Sequence, residues 1–403
     1  NDGATNGPAP LLVAGHGGAG AEGRINVDGL GVNGSSGGGS LYVTDTANVT
    51  EVAIDITGGL GEAEVGGPVV NVVPRTGGNT FGGTIFAAGA NSAMQGSNFT
   101  DELRDAGLRA PGDLVKMWDL NGAFGGPIKR DRLWFFATTR YQGTQRYVPG
   151  MFYNLNAGNP NAWTYEPDLS RQAISDGVWD NTSARVTWQA TARNKFNFFW
   201  DEQGMCRNCW GGGSATVSPE AQNGSQNINW MRAYQVSYTA PLTSRVLIEA
   251  GFGGTGFSYG NPRDGFDRSM VQVQEQAGLI PNLTYRSMFW DQVRSKTPRY
   301  RASVSYVTGS HSSKFGFDAV HAISNRNYQR GDGLTYRLNN GVPNRLTMLL
   351  NDFTEEAHVR NTAVFAQDRW TLGRFTLQGG IRYEHASSSS PEQTVGPSRF
   401  IPT

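Results

Sequence analysis

The sequence predicts an all-β protein whose strands form an antiparallel transmembrane β-barrel. The first observation is compositional: 403 residues include 10 Trp, 14 Tyr, 20 Phe and 54 Gly, yet hydrophobic content is only 38%. Abundant aromatics and glycine suit many short strands and turns better than packed helices. The second is a period of two in residue polarity that recurs from residue 84 onward. The third is the spacing of the links between those strands, which alternates strictly between long and short.

Other bulk properties bound the function classes. Lys+Arg and Asp+Glu balance at 34 each, so no overall field argues for a nucleic-acid partner. No apolar run approaches the about 18 residues of a spanning helix, but a spanning strand needs only about 10, with every second one apolar. The length accommodates two domains or one large barrel.

Residues 1–65 are Gly-rich and irregular. Gly15, Gly17 and Gly20 fit G-x-G-x-x-G, but Gly23, Gly29, Gly31 and Gly34 follow. A pyrophosphate site needs a helix N-terminus at that point, so the segment reads as a Gly-rich loop. RINVDG then reads as a strand and turn, and EVAIDIT as another strand. The stretch GGPVVNVVPRTGGNTFGGTIF, residues 66–86, holds two β-branched runs around a Pro-Arg-Thr-Gly-Gly-Asn break. Pro74 cannot donate to a ladder, so the strand ends there and the chain passes into a second domain. Gly77 and Gly78 are expected in a turn with at least one positive φ, with the barrel entered by Gly83.

Beyond the break, the alternation is repeated. Ala184, Val186, Trp188 and Ala190 interleave with Arg185, Thr187, Gln189 and Thr191; Phe196, Phe198 and Trp200 with Lys195 and Asn197. The same holds for Val246, Ile248, Ala250 and Phe252, for Ala302, Val304 and Tyr306, and for Phe315, Phe317 and Ala319. Leu247 breaks the rule. Long links fall at roughly 91–116, 146–180, 204–228, 259–295 and 326–352, and tight ones near 129–131, 192–194, 241–244, 309–312 and 371–373. Apolar rows facing lipid leave polar rows to line a wet lumen. Arg185, Lys195, Arg301 and Lys314 therefore point inward or sit near a strand end, because a cation on the lipid face at mid-depth costs about 2–4 kcal/mol.

Three stretches carry a family resemblance. EVAIDITGGLGEAEVGGPVVNVVPRTGGNTFGGTIFAAGAN resembles the end of the plug and first barrel strand of TonB-dependent outer-membrane receptors, in their Oar-like, carboxypeptidase-regulatory-like branch. DLNGAFGGPIKRDRLWFFATTRYQGTQ and NTAVFAQDRWTLGRFTLQGGIRYEHAS are similar to barrel hairpins of that family. The resemblance implies a plug inside a barrel of about 22 strands, of which about 11 are expected here. Residues 1–78 would be the C-terminal part of the plug and 79–403 the N-terminal half of the barrel. The implied partners are outer-membrane lipid, an extracellular ligand and an inner-membrane TonB-type energy-coupling complex acting through an N-terminal motif absent from this sequence. The implied location is the cell outer membrane. The implied activity is energy-coupled import of a scarce, bulky nutrient (siderophore, oligosaccharide or peptide) by plug movement, and the chain reads as part of a longer protein. An adhesion or secretion platform is the alternative; an enzyme on a soluble β-scaffold ranks third.

No catalytic, metal or cofactor site is legible: the five His are scattered, and no triad, H-E-x-x-H or P-loop occurs. Cys206 and Cys209 form C-R-N-C without further ligands nearby, and Gly211–Gly213 offer no helix to activate a thiol. A small surface disulfide is expected. The loop aromatics Trp163, Tyr165, Trp179, Trp210, Tyr259 and Trp290 are candidates for stacking on a sugar or flat ligand, against the simpler role of folding the loops onto one another.

Overall fold

The computed structural model describes residues 23–34, 40, 42–56, 60–205, 214–222, 228–260, 267, 269–330, 333–349, 353–394, 397 and 402, the side chains of 289–291, 329 and 330 apart. In chain order the strands are β1 (Arg24–Val27), β2 (Leu30–Gly31), β3 (Val49–Asp55), β4 (Val69–Pro74), β5 (Gly82–Asn91), β6 (Leu114–Lys129) and β7 (Leu133–Asn154). There follow β8 (Pro167–Gln189), β9 (Lys195–Met205), β10 (Ile228–Pro241), β11 (Val246–Tyr259), β12 (Gln272–Glu275) and β13 (Leu283–Tyr285). The last are β14 (Phe289–Val307), β15 (His311–Arg330), β16 (Leu334–Asn339), β17 (Val342–Met348), β18 (Phe353–Leu372) and β19 (Phe375–Ser389).

These strands make three sheets. A 4-stranded inner sheet has the order β2-β1-β4-β3, with β1 parallel to β4. An 11-stranded wall runs β19-β18-β15-β14-β11-β10-β9-β8-β7-β6-β5, antiparallel throughout. A second 4-stranded sheet, β13-β12-β16-β17, is made entirely within the long links of the wall. β5 and β19 each pair on one side only among the described residues.

The inner sheet follows the expected strands. RINV forms β1, then Asp28 (φ 46) and Gly29 (φ 81) turn the chain into β2; two positive φ values in a row are the type I′ hairpin geometry. β4 ends at Pro74 and β5 begins at Gly82, so the expected break between the sheets is there. Its predicted cause is wrong. Neither Gly77 nor Gly78 has positive φ. Gly77 instead lies against the wall: a Cβ there would stand 2.2 Å from the Phe135 carbonyl oxygen and 2.9 Å from that of Gly126. Glycine is needed for close approach, not for handedness.

The wall keeps the alternation of long and short links. Tight connections occupy 130–132, 190–194, 242–245, 308–310 and 373–374, all at one end; the long ones, 92–113, 155–166, 206–227, 260–288 and 331–352, are at the other. The expected long link 146–180 is corrected: β7 continues to Asn154 and β8 starts at Pro167. The inward row there includes Ser175, Gly177, Asn181 and Ser183, small and polar residues buried against other protein, so no hydrophobic alternation betrays the strand.

The outward face is apolar and exposed, with Ile85 at 90%, Ile381 at 73% and Phe315 at 56%. Inward positions hold buried Thr138, Asn181, Asp201, Gln203, Ser295 and Thr297. Arg185, Arg301 and Lys314 are among the inward residues, and Lys195 opens β9 beside a tight turn. The inward face is not polar throughout, however. Phe199, Met231, Ala233, Phe257 and Val293 form one core with Ile25, Val27, Val32 and Tyr42 of the inner segment. A lumen filled by protein can bury apolar side chains from both partners; a wet one cannot. The uninterrupted Phe198-Phe199-Trp200 run is the trace of this in the sequence.

Several wall glycines are roofed by a ring from a neighbouring strand or turn. A Cβ at Gly126 would meet Phe81, at Gly143 Trp118 and at Gly316 Phe365, each at 2.2 Å, and at Gly125 Phe136 at 2.5 Å.

Candidate functional site in the lumen and the outer lobe

Two polar clamps hold the inner segment to the wall. In the first, Asp45 caps the 3-10 turn Thr46–Asn48 and accepts from the Asn121 amide (2.9 Å) and the Arg140 guanidinium (3.3 Å). Arg140 also holds Asp119 through Nη2 at 2.6 Å. Asn48 donates to Ser183 Oγ at 2.9 Å. The Gln203 amide bonds the Val43 backbone from both sides, accepting at 3.2 Å and donating at 2.7 Å. Tyr42 donates to the buried Asp201, which also accepts from Asn181 and Gln203. Burial, with Asp201 and Asp45 nearby, pushes the Tyr42 phenol up, so it remains a donor.

The second clamp is ionic. Glu62 pairs with Arg301 and with Lys314 (2.9 Å), while its backbone N–H donates to Gln367. Glu64 pairs with Arg24 (3.7 Å) and Arg299 (3.5 Å), and Asp318 with Arg382 (3.2 Å). All of these charges but Lys314 border a cleft of about 500 Å³ between the inner sheet and β14, β15, β18 and β19. Asp28 meets Arg185 at 2.6 Å beside a second cleft of about 360 Å³. Burial raises the Asp28 carboxyl above its ordinary range even with the Arg185 charge pulling the other way.

At the long-link end a lobe closes over the wall. Val148, Met151, Ala173, Val273, Leu283, Tyr285 and Leu338 form its core, with Tyr165 and Tyr336 against it. Arg286, at φ 78, threads into it: its guanidinium donates to the carbonyls of Ala162 (3.0 Å), Val271 (3.1 Å) and Pro160, and lies 3.8 Å from the Trp163 ring centroid. Trp163 meets Tyr336 edge-on at 5.6 Å, and its carbonyl accepts from the Tyr285 hydroxyl at 2.8 Å. Desolvation, with Glu275 nearby, pushes the Tyr285 phenol up to about 12, and burial lowers Arg286. Glu275 bonds the backbone N–H groups of Asn340 and Gly341, both of positive φ, at the β16–β17 turn. That Asn-Gly is a type I′ hairpin signal inside the stretch expected as a long link.

The outer membrane beta barrel domain family matches residues 145–402, more than half of the chain. The chain belongs to that family. It is an outer-membrane protein, and in such barrels the long loops lie outside and the short turns in the periplasm. Over 129 residues this outer-membrane barrel chain is 36% identical to the TonB-dependent transporter Oar of Myxococcus xanthus, covering 30% of this chain and 12% of Oar. The outer membrane transporter YddB of Escherichia coli superposes with a TM-score of 0.67 at 14% identity, over 95% of this chain and 51% of YddB. The ferric yersiniabactin uptake receptor FyuA of Yersinia pestis does so with 0.56 at 13% identity, over 92% and 48%. At such identities the likeness is one of fold. The barrel chain spans about half the length of these solved relatives.

Among the described residues, the predicted ligand-stacking aromatics do not form one surface. Trp163 is 41% exposed, and Tyr165 packs on Tyr285 at 6.2 Å and donates to the Phe152 carbonyl. Both help fold the outer lobe. Trp179 was expected in a loop; it lies in β8, 1% exposed and inward, near Arg140 and Gln203. Tyr259 ends β11 beside Phe257 at 5.9 Å, against the inner core. Trp290 lies in β14 opposite Gln329, without a described side chain. Cys206, Cys209 and Trp210, like the 15–20 glycine motif, fall outside the described residues. Arg286 and Glu275, which tie the lobe together, had no motif to announce them.

Proposed function

We propose that this chain is the plug end and first barrel half of a TonB-dependent receptor that imports a scarce, bulky nutrient by energy-coupled plug movement. In this reading residues 1–78 belong to the plug and 79–403 to the barrel, and the siderophore, oligosaccharide or peptide is captured from outside without covalent chemistry. The observation that carries it is the inner sheet inside the wall, held by hydrogen bonds and ion pairs that can break and re-form. The relationship to Oar and the fold shared with YddB support it. The energy would come from an inner-membrane TonB-type complex.

The test is a reversible tether. Asn48→Cys with Ser183→Cys replaces a 2.9 Å side-chain bond between the 3-10 turn of the inner segment and the wall by a disulfide. Uptake of the nutrient is expected to stop when the pair is oxidised and to resume on reduction, with each single variant active throughout. Unchanged uptake by the oxidised pair removes the moving plug. A second reading, a platform for adhesion or secretion, is favoured by the outer lobe, whose aromatics are spent on its own core. Uptake that survives collapse of the proton gradient would sink the import reading, and no uptake under any condition would leave the platform.

A further inference from the structure

Basic side chains gather on the outward face of the wall just above the apolar band. Along β14 the outward residues run Tyr306, Val304, Ala302, Tyr300 and Pro298, and the next two are Lys296 and Arg294. From Val307 to Lys296 the chain advances 11 residues (307 minus 296). At roughly 3.3 Å per residue and a tilt of about 40°, that is a rise of about 28 Å, slightly more than the height of an outward apolar band.

Lateral pairing widens the patch. Arg232 of β10 and Lys296 of β14 both face Gly256 of β11, from opposite sides. They are therefore about 9.6 Å apart, two strand spacings. Gly254 and Gly256 put no bulk between them, and the Trp230 ring floors the gap, 3.2 Å from where a Cβ of Gly256 would stand. The Arg232 guanidinium lies 4.9 Å from the Trp230 centroid and 5.9 Å from that of Trp200, and pairs with Glu202 at 3.1 Å. Arg294 and Lys296 are exposed, and neither forms an ion pair among the described residues. Glu356, in register with Arg294 through Asn325, is engaged by His358 at 2.7 Å. Two uncompensated cations, Arg294 and Lys296, at a lipid–water boundary beside a shallow groove whose far side carries the Glu202-paired Arg232, suit an anionic headgroup.

We propose that the outward face of β10, β11 and β14 binds a phosphate-bearing lipid headgroup of the outer leaflet. The inference rests on the orientation of the barrel in the membrane and not on transport, so its failure would leave the import reading untouched.

The full chain in neutral detergent micelles is titrated with diphosphoryl lipid A, and the Kd is read for parent and variants. Each basic side chain near a charged surface is worth about fivefold, so Arg294→Gln with Lys296→Gln should weaken binding about thirtyfold. Lys116→Gln, an outward lysine on β6 far along the wall, should leave the Kd essentially unchanged. The swap Arg294→Lys with Lys296→Arg keeps the charge and should bind like the parent, which separates loss of the site from loss of the fold. A molar excess of inorganic phosphate should fail to displace the lipid. Equal affinity of the double Gln variant and the parent overturns the site. So does an equal loss in Lys116→Gln, or displacement by inorganic phosphate.

Discussion

Asp28 and Arg185 illustrate how single residues fasten the inner segment. Arg185 is 5% exposed, and beyond Asp28 its guanidinium reaches only the Pro74 carbonyl, at 3.3 Å, among the described hydrogen bonds. Asp28→Ala leaves that charge buried and unpaired, which costs about 3–5 kcal/mol. Replacing both residues, as Asp28→Ala with Arg185→Leu, should restore most of the loss. Urea midpoints for hydrogen exchange in β1 and β4 measure it; a single variant as protected as the parent would mean that water solvates Arg185. The residues that sequence reading handled well were those whose neighbours are uniform, such as Arg301 and Lys314, kept from lipid by charge alone. It failed at Trp179, where a large aromatic in a polar context looks like a loop residue but fills the lumen beside Gln203.

At the scale of elements, the passage from inner sheet to wall separates two accounts of a glycine pair. Gly77 abuts the Phe135 and Gly126 carbonyls, whereas nothing stands within 4 Å of a Cβ at Gly78. Gly77→Ala is therefore expected to destabilise by about 1–3 kcal/mol, as overpacking does. Gly78→Ala should be neutral or stabilising by up to about 1 kcal/mol through the unfolded chain. Equal effects from the two, measured by urea unfolding in detergent, would point back to a turn. Strands of the wall were legible because lipid and lumen impose opposite polarity on alternate residues. The outer sheet was not. Its β12 pairs with β16 in parallel, between residues 63 apart (Gln272 opposite Thr335 and Glu275 opposite Leu338), and no local pattern marks the partner.

The whole molecule is organised by its two solvents, and depth in the membrane decides what a substitution does. Phe317 faces outward in β15, two positions above Phe315 and well below the basic rim. Phe317→Arg should cost about 2–4 kcal/mol, while Asn327→Arg, on the same face near the outer end, should cost about 0–1 kcal/mol. Unfolding free energies in a lipid bilayer check the pair; equal costs would place the apolar band elsewhere. Strand number was read correctly at about eleven because each tight turn and each long loop marks a change of direction. The apolar half of the contact between inner segment and wall was hidden, since Phe199 and Met231 lie on a face where only polar residues were anticipated.

The rings that roof the wall glycines also govern the order in which this chain can diverge. A side chain at Gly316 requires the buried Phe365 ring above it to shift, and one at Gly126 or Gly143 requires Phe81 or Trp118 to do so. Removing the ring first opens a hole, which a protein with stability in reserve survives. Enlarging the glycine first brings a Cβ within 2.2 Å of the ring, so the ring has to shift. Descent from this sequence is therefore directional at those pairs: the aromatic is lost in one generation and the glycine fills in a later one, so living relatives should carry glycine without the ring far more often than the ring without glycine.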